Sequence, residues 1–251
     1  MNKRVIAKLD VKNHQLIKTI QMEGLRVVGN PADRMQTYSE CGIDEVIYHD
    51  LVASLYDRNS ILDLVEKASS NCFIPLTVSG GIRSVSDARQ CQLSGADKFG
   101  INTSALANPS LISEISSNFG SQATVLSVEA KKMGKGVWNA FFDSGREDSG
   151  RTTDEWITEG VERGAGEILL TSVDMEGTRR GFDIDLAYSV AEKVNIPVVV
   201  NGGAGTLEHI VELLQINGVD GVVLSSILHF DMFSISQIKD TLKSKGISIR
   251  P

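Results

Sequence analysis

Apolar runs of strand length alternate along the chain with stretches whose apolar residues recur every three or four positions. The runs at 4–9, 45–50, 73–78, 97–101, 124–128, 166–171, 197–201 and 221–225 read as strands. Several are almost continuously apolar, the pattern of strands covered on both faces. The segments 31–41, 58–70, 84–94, 108–118, 152–163, 183–193, 207–217 and 234–244 read as helices. Ser84 with Asp87 three residues on, and proline in Asn108-Pro109, mark helix starts. Regular strand–helix alternation implies parallel pairing through right-handed crossovers. Eight such units close into a (βα)8 barrel of the α/β class. No Pro- or Ser-rich linker interrupts them, so one domain is expected over residues 1–251. Segments 12–30 and 131–151 follow the first and fifth strands. They are polar and contain glycine, and mobile loops over a site are expected there.

The pattern also repeats. Residues 5–10 (VIAKLD) return as 124–129 (TVLSVE), and 42–50 (GIDEVIYHD) as 164–172 (GAGEILLTS). Residues 74–82 (IPLTVSGGI) return as 196–204 (IPVVVNGGA), and 95–101 (GADKFGI) as 218–224 (GVDGVVL). The near-constant offset says that the barrel is two copies of one half. Each half offers a strand-end carboxylate and a Gly-Gly loop.

Composition narrows the partners. Hydrophobic residues make up 41% and charged residues 23%, an ordinary globular balance. The net charge of −7 argues against a nucleic acid or an anionic membrane as partner. There is no apolar run long enough to span a bilayer, and no signal peptide is expected from the start MNKRVIAKLDV. Cys41, Cys72 and Cys91 form no C-x-x-C pair, and three buried or partly buried thiols in a reducing cytoplasm are expected. His14, His49, His209 and His229 lack metal-ligand spacing, and structural roles are assigned to His49 and His209. No G-x-G-x-x-G fingerprint occurs. Neither a metal nor a cofactor is expected.

In a parallel barrel the chemistry lies at the carboxyl ends of the strands. Asp10, Asp50, Gly80-Gly81 and Asn102-Thr103 arrive there from the first half. Glu129, Thr171, Asp174, Gly202-Gly203 and Ser225-Ser226 arrive from the second. A Gly-Gly pair lets backbone N–H groups approach a phosphate closely, and two copies suit a ligand with a phosphate at each end. Asp10 and Glu129, across the mouth from one another, can divide labour as acid and base. Lys18 reaches back over the site or stays on the surface. At the opposite end Arg4, Glu45, Lys98 and Glu167 stand at the starts of strands one, two, four and six. Two charges of each sign there suggest a salt-bridged ring.

These residues together resemble the HisF family, the cyclase subunit of imidazole glycerol phosphate synthase. The resemblance spans the chain, from KRVIAKLDVK through GIDE, SGGI, GADK, INT, NPSLI, FGSQA, GAGEILLTSVD, EGT and GGAG to SSILHF. It implies a partner glutaminase at the amino-terminal face. Ammonia would pass up the axis to a doubly phosphorylated substrate, which is cleaved and closed to an imidazole. By resemblance the catalytic acids are Asp10 and Glu129. Phosphate binding falls on Gly80, Gly81, Asn102 and Thr103, and on Asp174 to Gly177, Gly202, Gly203, Ala204 and Ser226. The axial gate falls on Arg4, Glu45, Lys98 and Glu167. The chain departs from the family in four places: Glu129 and Glu176 stand where it has Asp, Ser79 where it has Gly, and Asn13-His14 where it has Asp-Gly. LRVVGNP and EAKK…GRE look more like HisF-like paralogues that pass ammonia to a separate sugar amidotransferase for surface polysaccharide. Two readings therefore stand, a cyclase and an ammonia conduit. A phosphosugar isomerase shares the fold but leaves the four-charge ring without a purpose.

Overall fold

The computed structural model describes residues 2–53, 62–70 and 73–250. Eight parallel strands close into a barrel: β1 (Arg4–Lys12), β4 (Glu45–Asp50), β5 (Leu76–Ser79), β6 (Lys98–Ile101), β7 (Thr124–Gly134), β10 (Glu167–Ser172), β11 (Val198–Asn201) and β12 (Val219–Leu224). Closure is made by β1 on β12 and by β7 on β10. The expected helices are present as α1 (Pro31–Glu40), α2 (Leu62–Ser69), α3 (Val85–Leu93), α5 (Ser110–Phe119), α6 (Thr153–Glu162), α7 (Ile184–Ala191), α8 (Leu207–Leu214) and α10 (Ile235–Ser244). Residues 58–61 of the expected second helix lie outside the described residues. Two short helices the periodicity does not reveal, α4 (Thr103–Ala107) and α9 (Ser226–His229), follow β6 and β12. Among the described residues no helix is long and apolar enough to cross a membrane.

Segments 12–30 and 131–151 are not irregular loops. β2 (Gln15–Ile20) and β3 (Glu23–Gly29) add an antiparallel ribbon to β1, and β8 (Val137–Phe142) and β9 (Glu147–Thr152) add its counterpart to β7. The two ribbons therefore prolong equivalent strands of the two halves.

Period-two alternation divides the core in two. Val5, Ala7, Leu9 and Val11 of β1 face outward into the large layer beneath the helices. Ile6, Ile47, Val125, Leu169, Val199 and Val223 form a separate apolar layer in the lumen. Below that layer the charged ring closes. Arg4 bonds Glu45 at 3.1 Å and Glu167 at 2.9 Å, and Lys98 bonds the same two carboxylates at 3.0 and 2.6 Å. Each charge is buried or nearly so, and each carboxylate bridges both ring cations. Such pairing is what offsets desolvation of buried ions. Arg250, at 3.2 Å from Glu45, adds a half-exposed cation at the outer rim.

Cys91 is buried, and burial pushes its thiol up to about 11. Cys41 is exposed, against the expectation of buried thiols, because it caps the end of α1 on the outer surface. Cys72 lies outside the described residues.

Candidate functional site

Above the apolar layer the lumen turns polar. Lys8 and Asp10 follow Arg4 and Ile6 on the inward face of β1, and His49 follows Glu45 and Ile47 on β4. Register pairs Asp10 with His49 directly. Asp10 Oδ1 accepts from Lys8 Nζ at 2.5 Å and from His49 Nδ1 at 2.9 Å. Burial alone would raise this carboxyl, but Lys8 and His49 hold it well below the usual carboxylate range. Glu129 is equally buried at the end of the inward face of β7. Burial dominates there and pushes its carboxyl up, despite a 2.7 Å hydrogen bond donated by Gly145 N and the nearby His49 and Lys8. The two acids are thus driven apart, one held ionised and the other toward neutrality.

A cavity of about 370 Å³ opens at the carboxyl end of the first half. Its wall joins Glu129 and His49 to Asp50, Gly80-Gly81, Asn102-Thr103 and Arg83. Gly80 has φ +88°, and a Cβ there would lie 2.4 Å from the Asp50 carbonyl oxygen, so only glycine fits this turn. Asp50 itself accepts from Val52 N. Asn102 Nδ2 donates to Phe141 O at 3.1 Å, while its buried Oδ1 has no partner. Thr103 Oγ1 accepts from Asp143 N. The β8–β9 turn thereby covers the cavity, with Asp143 and Ser144 at positive φ and Gly145 touching Glu129.

The second half presents a smaller cleft. It is lined by Gly177, Gly202, Gly203, Ala204 and Ser226 together with Lys18 and Glu176. A Cβ on Gly203 would meet Gly181 O at 1.9 Å. Lys18 is buried here, paired with Glu176. Glu176 also accepts from Thr19 Oγ1 and Met22 N, each at 3.0 Å. This carboxylate fastens the β2–β3 ribbon across the loop after β10. Asp174 is not in the cleft wall; it accepts from Lys132 N and ties the same loop to β7. Thr171, inside the lumen, accepts from Asn201 Nδ2 at 3.2 Å.

Two residues in the polar layer were not singled out by motif. Lys8 carries its charge in mid-strand on the inward face of β1, and period-two reading from Arg4 would have found it. His49, given a structural role from sequence, stands in the cavity wall against Asp10. His209 lies in α8 beside Gly181, with its Nδ1 buried and without a hydrogen-bond partner. His229 is buried, and that burial lowers it to about 4.

A doubled (βα)8 barrel, with a glycine pair and a polar cleft at the carboxyl end of each half and a buried carboxylate pair between them, has the architecture of a barrel enzyme. A family model described as histidine biosynthesis protein matches residues 4–234. The imidazole glycerol phosphate synthase subunit HisF of Streptococcus gordonii is 41% identical over 250 residues, 100% of this chain and 99% of that protein. The corresponding subunit of Legionella pneumophila is 53% identical over 207 residues, 82% of this chain and 98% of its own. That of Gluconacetobacter diazotrophicus is 43% identical over 247 residues, 98% and 95%. The chain belongs to the HisF family.

Proposed function

We propose that this chain is the cyclase subunit of an imidazole glycerol phosphate synthase in histidine biosynthesis. It would take ammonia from a glutaminase subunit and convert a doubly phosphorylated ribulosyl-aminoimidazole to imidazole glycerol phosphate and an aminoimidazole carboxamide ribotide. The observation that carries the reading is the opposed pair, Asp10 held ionised and Glu129 pushed toward the neutral acid, beside a glycine-lined cavity. Gly80, Gly81, Asn102 and Thr103 hold one phosphate. Gly177, Gly202, Gly203, Ala204 and Ser226 hold the other, with Lys18 beside it. Asp50, Thr171 and Asp174 shape the walls and loops around the substrate. The glutaminase docks on the amino-terminal face, and Arg4, Glu45, Lys98 and Glu167 gate the axis. The free thiols Cys41 and Cys91 support a cytoplasmic setting.

The test is direct. Purified chain receives the bisphosphorylated substrate and an ammonium salt, and imidazole glycerol phosphate is sought by mass spectrometry. Turnover that falls on the order of a hundredfold or more in Asp10→Asn supports the reading. Well-folded protein without product removes it.

A second reading has an observation of its own. The second cleft, with the Lys18–Glu176 pair in its wall, is far smaller than the first cavity. An ammonia conduit serving a sugar amidotransferase in surface-polysaccharide synthesis needs the ring but not that cleft. Glutamine-dependent activity only in the presence of both a glutaminase and an amidotransferase would favour it.

A further inference from the structure

Asp10 does not line the cavity; His49 does. The imidazole lies between the buried carboxylate and the space where substrate would sit. Both Lys8 Nζ and His49 Nδ1 converge on one oxygen of Asp10, and the carboxylate is 2% exposed. An anionic carboxylate is an acceptor only, so Nδ1 carries the proton in this hydrogen bond and a neutral ring keeps its lone pair on Nε2. Nε2 makes no hydrogen bond among the described residues. Asp10 on β1 and Glu129 on β7 both interact electrostatically with the ring, Lys8 shares its Asp10 oxygen, and Asp50 and Arg83 line the same cavity. Asp10 thus orients an imidazole, and the imidazole faces the cavity it shares with Glu129.

We propose that His49 is a catalytic residue of this chain, the base that exchanges protons with substrate, and that Asp10 acts through it as a positioning residue. The inference rests on the cyclase reading above. In the first step ammonia nitrogen forms a bond to the ribulosyl carbonyl carbon. The carbonyl oxygen takes the Glu129 proton, and the nitrogen gives one of its protons to His49 Nε2, leaving a carbinolamine. His49 then returns that proton to the departing hydroxyl, which leaves as water. The resulting iminium gives a proton to the Glu129 carboxylate. Both side chains end as they began, and ammonia and ketone have become imine and water. Lys8 keeps Asp10 ionised throughout, so that the imidazolium formed in mid-cycle is stabilised.

Three variants of the full chain test this with substrate and ammonium salt. His49→Ala is expected to lose on the order of a hundredfold or more in kcat with KM little changed, the range of a positioned base. Added imidazole should restore part of that rate in a saturable way, while wild-type protein gains nothing. His49→Asn keeps an amide N–H for Asp10 but has no base, and should fall as far as His49→Ala while melting close to the wild type. His49→Leu should fall as far, without rescue by imidazole. A His49→Asn enzyme with wild-type kcat, or a His49→Ala enzyme that imidazole does not accelerate, overturns the inference and leaves the cyclase reading standing. A wild-type protein without turnover overturns both.

Discussion

Glu129 illustrates how the site trades stability for chemistry. A carboxyl raised by burial binds its proton more tightly folded than unfolded. Its contribution is therefore present below the ordinary value of about 4.3 and is lost as pH rises through the raised value. Glu129→Gln keeps an acceptor for Gly145 N but carries no charge. It should raise Tm at neutral pH, show a smaller difference in acid, and lose turnover; thermal melts across pH check the first two. Asp10 has the opposite sign. Its depressed carboxyl stabilises the fold above the ordinary value of about 3.9, and that contribution is lost as pH falls. Asp10→Asn strands a buried Lys8 ammonium, a loss of about 3–5 kcal/mol for breaking a buried pair. Urea titrations should show this deficit at neutral pH and its shrinkage in acid. Asp10 and Glu129 were legible from the half-barrel repeat, because each ends an apolar strand. Lys8 and His49 belong to no motif; only a period-two count, which puts Lys8 on the face of Arg4 and His49 on the face of Glu45, brings them to the lumen.

At the level of elements, barrel strands and helices follow from hydrophobic period, whereas the ribbons do not. The β1–β2 and β2–β3 turns are two residues long, Asn13-His14 and Gln21-Met22, and all four residues have positive φ. Glycine usually marks such a turn, and here it is missing. Gln21 and Met22 are held in place instead by hydrogen bonds from their backbone N–H groups to the carbonyl and carboxylate of Glu176. The anchor lies more than a hundred residues away, which is why local sequence conceals the ribbon. Glu176→Ala should therefore act beyond its own cleft. It leaves Lys18 unpaired, lowers stability by about 3–5 kcal/mol, and speeds amide exchange along residues 15–29 while the β8–β9 ribbon keeps its protection. Hydrogen exchange read by mass spectrometry tests both arms.

For the molecule as a whole, the four-charge ring is a closed circuit in which no member is independent. Glu167→Gln leaves Arg4 and Lys98 to share Glu45, so one buried positive charge lacks its counter-ion. Stability should fall by about 3–5 kcal/mol. In a complex with a glutaminase, glutamine-driven turnover should fall further than turnover with added ammonium salt. Equal losses in the two assays would mean that the ring serves only stability.

The six aliphatic side chains stacked above that ring have a bearing on pH. Ile6, Ile47, Val125, Leu169, Val199 and Val223 make a hydrocarbon septum across the lumen. An ion crossing it would shed its hydration shell with nothing in exchange, a penalty of several kcal/mol, whereas an uncharged amine sheds far less. Anything nitrogenous travelling this way must leave its extra proton below, so traffic should climb about tenfold per pH unit until the amine itself is mostly deprotonated.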